Sequence, residues 1–307
     1  MLETLSSDHD PVFHAGERAL QARAGSREWL AQVGAHVIRD QMPDQHRVFF
    51  AQLPFLVVGT VDTSGQPWAS LLAGPPGFLH APDARHLEVA AAPLWGDVLH
   101  DTLTPGARIG LLGIAPHTRR RNRLNGTVRE LRPDGFTVEV AQSFGNCPKY
   151  IQPREARYVN GLPPSPLPHL AQANRLDDAA RRIMERADTF FIATAASGAY
   201  AGAGVDVSHR GGTPGFVRVQ PDGSLLVPDY PGNQFFNTLG NLQLAPRAGL
   251  LFIDFDTGAL LQLAVTAELL WADAPVAAAT GIERALLLRV QSLRLVEGAL
   301  PLTWRAV

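Results

Sequence analysis

Ala107-Arg108-Ile109-Gly110-Leu111-Leu112 and, much further along, Pro246-Arg247-Ala248-Gly249-Leu250-Leu251 are two versions of one phrase. They do not stand alone. Phe55-Leu56-Val57-Val58-Gly59-Thr60 is echoed by Phe190-Phe191-Ile192-Ala193-Thr194, Pro76-Gly77-Phe78 by Pro214-Gly215-Phe216, and Leu87-Glu88-Val89 by Leu225-Leu226-Val227. Spacing is kept as well as order: Phe78 precedes Gly110 by 32 positions and Phe216 precedes Gly249 by 33. Chance can produce one such match, but a series of them in register marks an internal duplication. The chain therefore reads as two copies of one small β domain, which can make within one chain the contacts that a homodimer makes between two.

The local texture says what each copy contains. Residues 55–61 are a short apolar, β-branched run, Asp62-Thr63-Ser64-Gly65 is a turn, and residues 67–72 are a second strand. Residues 78–80, 87–90, 109–114, 123–131 and 136–140 continue as strands, and many short strands separated by Gly/Pro turns predict a barrel or sandwich. Residues 14–52 carry helical spacing instead. Trp29, Leu30, Val33, Val37 and Ile38 form an apolar stripe, Gly25-Ser26 breaks the helix before it, and Pro43-Asp44 opens another. A helix over residues 177–186 precedes the strand at 189–194, so each copy is led by a helix. Pro163, Pro164, Pro166 and Pro168 mark a linker between the copies. The expected division is a helical segment (1–43), a first β domain (44–160), a linker (161–176) and a second β domain (177–307).

Composition bounds the function. With 307 residues, 46% hydrophobic and 18% charged, the chain can bury a core. Its 27 basic and 29 acidic residues argue against nucleic acid or an anionic membrane as a partner of the whole chain. A single cysteine, Cys147, rules out an intrachain disulfide framework and a Cys-rich zinc module. No apolar run approaches the roughly 18 residues of a spanning helix. The start, Met1-Leu2-Glu3-Thr4-Leu5-Ser6-Ser7-Asp8, has no basic segment followed by an apolar one, so the cytoplasm is the expected compartment. There is no Walker phosphate loop, no His-Glu-x-x-His and no Gly-x-Ser-x-Gly, and Gly202-Ala203-Gly204 lacks the third glycine of a dinucleotide fingerprint. The scattered histidines give no metal-ligand spacing.

Three stretches of the second copy carry a resemblance. They are Gly204-Val205-Asp206-Val207-Ser208-His209-Arg210-Gly211-Gly212-Thr213-Pro214-Gly215-Phe216, then Pro228-Asp229-Tyr230-Pro231-Gly232-Asn233-Gln234-Phe235-Phe236-Asn237, then Leu250-Leu251-Phe252-Ile253-Asp254-Phe255. Together they resemble the pyridoxamine 5'-phosphate oxidase-like, FMN-binding split-barrel superfamily, and within it the predicted flavin-nucleotide-binding proteins. The first copy is similar through Gly65-Gln66-Pro67-Trp68-Ala69-Ser70, Thr118-Arg119-Arg120-Arg121-Asn122-Arg123 and Ser143-Phe144-Gly145-Asn146-Cys147-Pro148-Lys149-Tyr150. The resemblance implies a mainly β fold of two tandem split barrels with flanking helices, and FMN as cofactor. Gln234 stands where a basic residue would be expected, and no vitamin-B6 substrate site is recognisable, so that activity is not implied.

FMN needs its phosphate neutralised, its tricycle in an apolar slot, and donors toward the ring edge that becomes negative on reduction. Ser208, His209 and Arg210 end a strand just before a Gly-Gly turn and can offer a hydroxyl, an imidazole and a guanidinium. Asp229, Tyr230, Gly232 and Asn233 form a turn that feeds a helix carrying Asn237, whose amides suit phosphate or ribityl oxygens. The resemblance adds Gln262, Trp68 and Ser70 near the flavin. Arg119 and Arg121 belong to an arginine cluster that reads either as a phosphate clamp or as a solvated hairpin end. Alternation along a strand turns Arg120 away from Arg119, Arg121 and Arg123. Lys149 reads as a cofactor or interface contact, and Cys147 first as a small hydrophobe. No catalytic acid or base stands out. Three functions remain open. The first is an FMN-dependent oxidoreductase acting on a small-molecule substrate or an electron-transfer partner. The others are a non-catalytic module that sequesters a flavin or haem, and an interaction protein whose barrels have lost the cofactor. An intrachain pseudo-dimer and a true homodimer are both compatible with the repeat.

Overall fold

The computed structural model describes residues 12–160, 167–196, 204–271 and 283–307. The acidic start, the prolines at 163, 164 and 166, and Gly202-Ala203 lie outside the described residues. The first half builds β1 (Phe55–Val61), β2 (Pro67–Ala73), β3 (Leu79–His80), β4 (His86–Val89), β5 (Arg108–Ala115), β6 (Arg120–Arg132) and β7 (Gly135–Gly145). They form one antiparallel sheet in the order β2-β1-β5-β6-β7-β4-β3. After β8 (Arg154–Tyr158) and β9 (His169–Ala173), the second half builds β10 (Thr189–Ala195), β11 (Val205–Gly211), β12 (Arg218–Val219), β13 (Leu225–Pro228), β14 (Arg247–Ile253), β15 (Leu260–Trp271) and β16 (Arg284–Glu297). Their order is β11-β10-β14-β15-β16-β13-β12, strand for strand that of the first sheet. The sequence repeat is a structural repeat.

Neither sheet closes into a barrel. Each path runs from a free outer edge, β2 or β11, to a two-residue strand, β3 or β12. The two repeated sheets are consistent with the expected tandem split-barrel topology, and what leaves each one open lies at those outer strands: β2 packs on β10, β14 and β15 of the other half, and β11 packs on β1, β5 and β6. Of the stretch read as a linker, His169–Ala173 is a strand paired antiparallel with β16. The C-terminal β17 (Leu302–Ala306) pairs with β8, tying the chain end back to the first half.

This packing explains why β1 and β10 read as continuous apolar runs. Leu56 and Val58 face the core of the first half, while Val57, with Leu71 and Leu112, faces a shared core between the halves. Phe190 and Ile192 fill the core of the second half, and Phe191 with Val207 and Leu251 completes the shared one. A strand buried on both faces has no polar alternation to show. The shared core is shut by two close backbone approaches. A methyl at Gly110 would sit 2.6 Å from the Val205 carbonyl oxygen, and one at Gly249 would sit 2.4 Å from that of Pro67.

Helices complete the shell. α1 (Ala15–Arg23), α2 (Arg27–Val37) and α3 (Asp44–Ala51) precede the first sheet, α4 (Leu99–Thr102) lies within its half, and α5 (Asp178–Arg186) and α6 (Asn237–Leu244) belong to the second. Asp177 caps α5 by accepting from Ala180 N at 2.7 Å. α1 does not rest on the adjacent sheet. It crosses to α6, where Gly16 faces Gly240 so closely that a methyl at Gly16 would stand 2.1 Å from the Gly240 carbonyl oxygen.

Gly110→Ala and Gly249→Ala should each lower the free energy of unfolding by roughly 1–3 kcal/mol, because backbone must shift to admit the methyl. At Gly145 a methyl would have only Asn122 Oδ1, at 3.8 Å, within reach, so Gly145→Ala should be close to neutral. Urea unfolding of the three variants reads the difference; equal effects would sink the close-approach argument.

Candidate functional site

The repeat brings β6 of the first half against β11 of the second, and a cleft opens where they meet. Strand alternation sorts the arginines. Arg121 and Arg123 line the cleft. Arg120 points the other way, donating to the Gln45 carbonyl at 2.7 Å and lying 4.4 Å over the Phe49 ring. Arg123 is 4% exposed and donates through Nη1 to Asp206 Oδ1 at 2.9 Å and through Nη2 to Ser208 Oγ. Asn125 and Asn241 also donate to Asp206, so that carboxylate is held from three sides.

The next two residues of β11 form the cleft wall. His209 Nδ1 lies 2.9 Å from Arg121 Nη1. A guanidinium only donates, so Nδ1 is the acceptor and the proton of a neutral ring sits on Nε2. Burial, then the charges of Arg121 and Arg210, hold the His209 pKa well below its ordinary value. Arg210 Nη1 donates to Asp229 Oδ1 at 2.6 Å, and Arg284 Nε donates to the other oxygen at 3.0 Å.

Arg121 is the exception. Among the described residues no carboxylate pairs with it, and desolvation followed by repulsion from Arg123 and Arg210 pushes its pKa down to about 10. With Lys149 also on the wall, positive side chains outnumber the two paired carboxylates, Asp206 and Asp229. Four buried nitrogens of the lining have no hydrogen-bond partner: Nε of Arg121, Arg123 and Arg210, and Nδ2 of Asn146. Every one is a donor. Buried polar groups are nearly always satisfied, so a cluster of orphans of one kind points to an acceptor-rich ligand.

The lip is aromatic and conformationally strained. Tyr150 stacks on Tyr230 with ring centroids 5.0 Å apart and donates to the Pro231 carbonyl at 3.2 Å. Tyr150, Gln234 and Phe236 have φ of 66°, 59° and 63°, and among the described residues only Arg119 joins them as a non-glycine with positive φ. Such backbone persists where the surroundings over-determine it, and it clusters at ligand sites. The half-open cleft has a cavity volume of about 130 Å³. That is close to the cavity of about 150 Å³ that accepts a benzene ring, so it takes a phosphate or one ring edge, with anything larger extending through the mouth.

The structure brings Ser208, His209, Arg210, Asp229, Tyr230, Gly232, Asn233, Asn237, Arg121 and Lys149 onto this cleft. Arg119 is not there: it sits in left-handed backbone at the exposed turn before β6. Trp68, Ser70 and Gln262 lie in a separate buried region, where Gln262 Nε2 donates to the Ala69 carbonyl at 2.9 Å and to Ser70 Oγ at 3.1 Å. Arg284, Asp206 and Tyr150 join the site without having been expected. Arg284 reaches it through the pairing of β13 with β16, for which the sequence carries no local signal. Behind the cleft, Asn237 Nδ2 donates to Glu17 Oε1 at 2.6 Å, which ties α1 to the site. Burial, then Asp206, pushes the Glu17 pKa up to about 8.

No protein-family model and no curated protein matches the chain. Solved structures give distant likenesses. A point variant of HupZ from Group A Streptococcus is 13% identical, covering 38% of this chain and 96% of its own, with a TM-score of 0.30. A candidate pyridoxamine 5'-phosphate oxidase from Lactobacillus delbrueckii is 16% identical, covering 34% and 95%, with a TM-score of 0.27. HutZ, the heme storage protein of Vibrio cholerae, is 16% identical, covering 38% and 89%, with a TM-score of 0.26. Likeness of this degree says nothing of function, and the chemistry of the cleft is read from its own residues. Among the described residues no helix is long and apolar enough to cross a membrane.

Arg121→Gln removes a guanidinium that has no carboxylate and should leave stability unchanged or raise it. Arg123→Gln uncovers Asp206 and should lower stability by roughly 3–5 kcal/mol. Equal losses in urea unfolding would contradict the assignment of Arg121 as the unpaired charge. Glu17 keeps its proton to about pH 8 when folded, against an ordinary value of 4.5. Between those values only the unfolded chain has released the proton, so stability falls as pH rises from about 4.5 to 8, by up to about 1.4 kcal/mol per unit. In Glu17→Gln that fall should flatten whatever the absolute stability; melting temperatures from pH 5 to 8 check it, and an unchanged slope would show Glu17 ionised.

Proposed function

We propose that the cleft binds FMN, with the phosphate at the orphan donors and the ring toward the Tyr150–Tyr230 lip, and that the protein is an FMN-dependent oxidoreductase of a small molecule or electron partner. The observation that carries the reading is that four unpartnered buried donors, one of them on an arginine without a carboxylate, belong to residues lining this one cleft. A phosphate dianion answers both needs, because charge-assisted bonds to guanidinium are about twice as strong as neutral ones. The cleft, about 130 Å³ and half open, would take the phosphate end, and the rest of the group would extend outward. Bound FMN would supply the hydride chemistry, and the chain's residues would hold and orient it.

A second reading has its own observation. Both carboxylates of the cleft are locked in ion pairs, and His209 is neutral with its Nδ1 engaged by Arg121. Neither those carboxylates nor that imidazole is free to move a proton, which favours a module that holds a flavin or haem without turnover. Reduction of the bound flavin by a nicotinamide nucleotide, followed by transfer to an acceptor, would decide for the enzyme.

Purified chain mixed with FMN should quench the flavin's fluorescence. Arg121→Gln and Arg210→Ala should weaken binding tenfold or more, and tenfold corresponds to about 1.4 kcal/mol. Cys147, the only cysteine, lies on the cleft wall and reports occupancy: saturating FMN should slow its alkylation by iodoacetamide several-fold. Unquenched flavin and an alkylation rate indifferent to FMN would refute the reading.

A further inference from the structure

The duplication gives the cleft a mate across the interface, and we infer that this mate has been rebuilt as protein core, so that each chain holds one anionic ligand rather than two. The inference rests on the cleft being an anion site, not on the anion being FMN.

Register identifies the mate. Ser208 stands opposite Ile192 in the β10–β11 hairpin as Ser70 stands opposite Val58 in β1–β2. His209 and Arg210 therefore correspond to Leu71 and Leu72, and Asp206 to Trp68. On the facing strands, Leu124 pairs with Leu111 as Leu263 pairs with Leu250. Arg121, Arg123 and Asn125 then correspond to Leu260, Gln262 and Ala264. The helices align through a shared bond: Thr60 meets Thr102 at 2.7 Å, and its counterpart Thr194 accepts from Asn241 at 3.1 Å. Asn237 thus corresponds to Val98.

The replacements run one way. Where the cleft side carries Asp206, Asn237 and Asn125, the mate has Trp68, Val98 and Ala264, which pack together as an apolar cluster. Leu71 and Leu260 are buried in the shared core with Val296, and Leu170 of β9 packs against them. Arg123 has become Gln262, so Ser70 now bonds to an amide where Ser208 bonds to a guanidinium. The residual polar groups have the wrong sign for an anion. Ser70 Oγ donates to buried Asp97 at 2.6 Å, and two of the atoms left unpartnered there, Asp97 Oδ2 and Gln262 Oε1, are acceptors. One cation remains, Arg294, which donates to the Gly96 carbonyl at 2.9 Å and has a partnerless Nε. Its charge acts on the buried Asp97 carboxyl of the same region.

Equilibrium dialysis of the full chain against FMN, and separately against inorganic pyrophosphate, tests this. One ligand per chain is expected. Arg210→Ala should weaken it tenfold or more; Asp229 keeps Arg284, so the fold survives. Ser70→Ala should leave affinity within twofold, and Trp68→Phe serves if that variant does not fold. Two ligands per chain, or loss of the ligand in the mate-side variants but not in Arg210→Ala, would overturn the inference. Pyrophosphate bound once without FMN would support it while removing the flavin reading. Binding of neither would overturn both.

Discussion

The backbone of β5 at Gly110 touches that of β11 at Val205, and the backbone of β14 at Gly249 touches that of β2 at Pro67. These reciprocal contacts set how the two sheets meet. A side chain at either glycine would press on the facing backbone and push the halves apart, loosening the shared core of Val57, Leu71, Phe191 and Val207. The cleft depends on the same geometry, because Arg123 of one half reaches Asp206 and Ser208 of the other only when β6 lies against β11. Fold and site therefore share one constraint, and it is steric before it is electrostatic.

Within that frame the charges are arranged in graded fashion. Arg123 and Asp206 form a buried pair whose remaining valences are met by Ser208, Asn125 and Asn241. Asp229 bridges Arg210 and Arg284. Each pair's mutual attraction and added hydrogen bonds work against the cost of its desolvation. Arg121 is left over, between Arg123 and Arg210, held by a neutral histidine. A stable fold does not need that residue there, since an apolar side chain would fill the same space without repulsion. That surplus charge is the feature on which the proposed anion site rests.

What the sequence disclosed follows from how local each signal is. The runs at 55–61 and 189–194 were legible because burial on both faces removes polar positions. Ser208-His209-Arg210 and the Asp229–Asn233 turn were legible because a strand end and a turn each occupy a few consecutive residues. Alternation alone separated Arg120 from Arg121 and Arg123. That each sheet stays open was not legible, because strand patterns do not show whether an outer edge pairs within its own sheet or packs on a neighbour. Arg284 and Glu17 were hidden for a similar reason: each reaches the site from a distant segment, through β13–β16 pairing and through α1 lying on α6. Trp68, Ser70 and Gln262 were drawn toward the cofactor by resemblance, which does not tell one member of a duplicated pair of sites from the other.

That ambiguity carries the last step. In a homodimer, both sites across a two-fold are written by one sequence, so a change that improves one is imposed on the other. Joining the copies in a single chain removes the restriction. Trp68 can replace an aspartate on one side while Asp206 stays on the other, and Gln262 can replace an arginine while Arg123 stays. The helices diverge in the same sense: α6 runs from Asn237 to Leu244 and receives α1, whereas α4 is only Leu99–Thr102. One side has gained apolar packing at the interface. The other carries the array of buried donors.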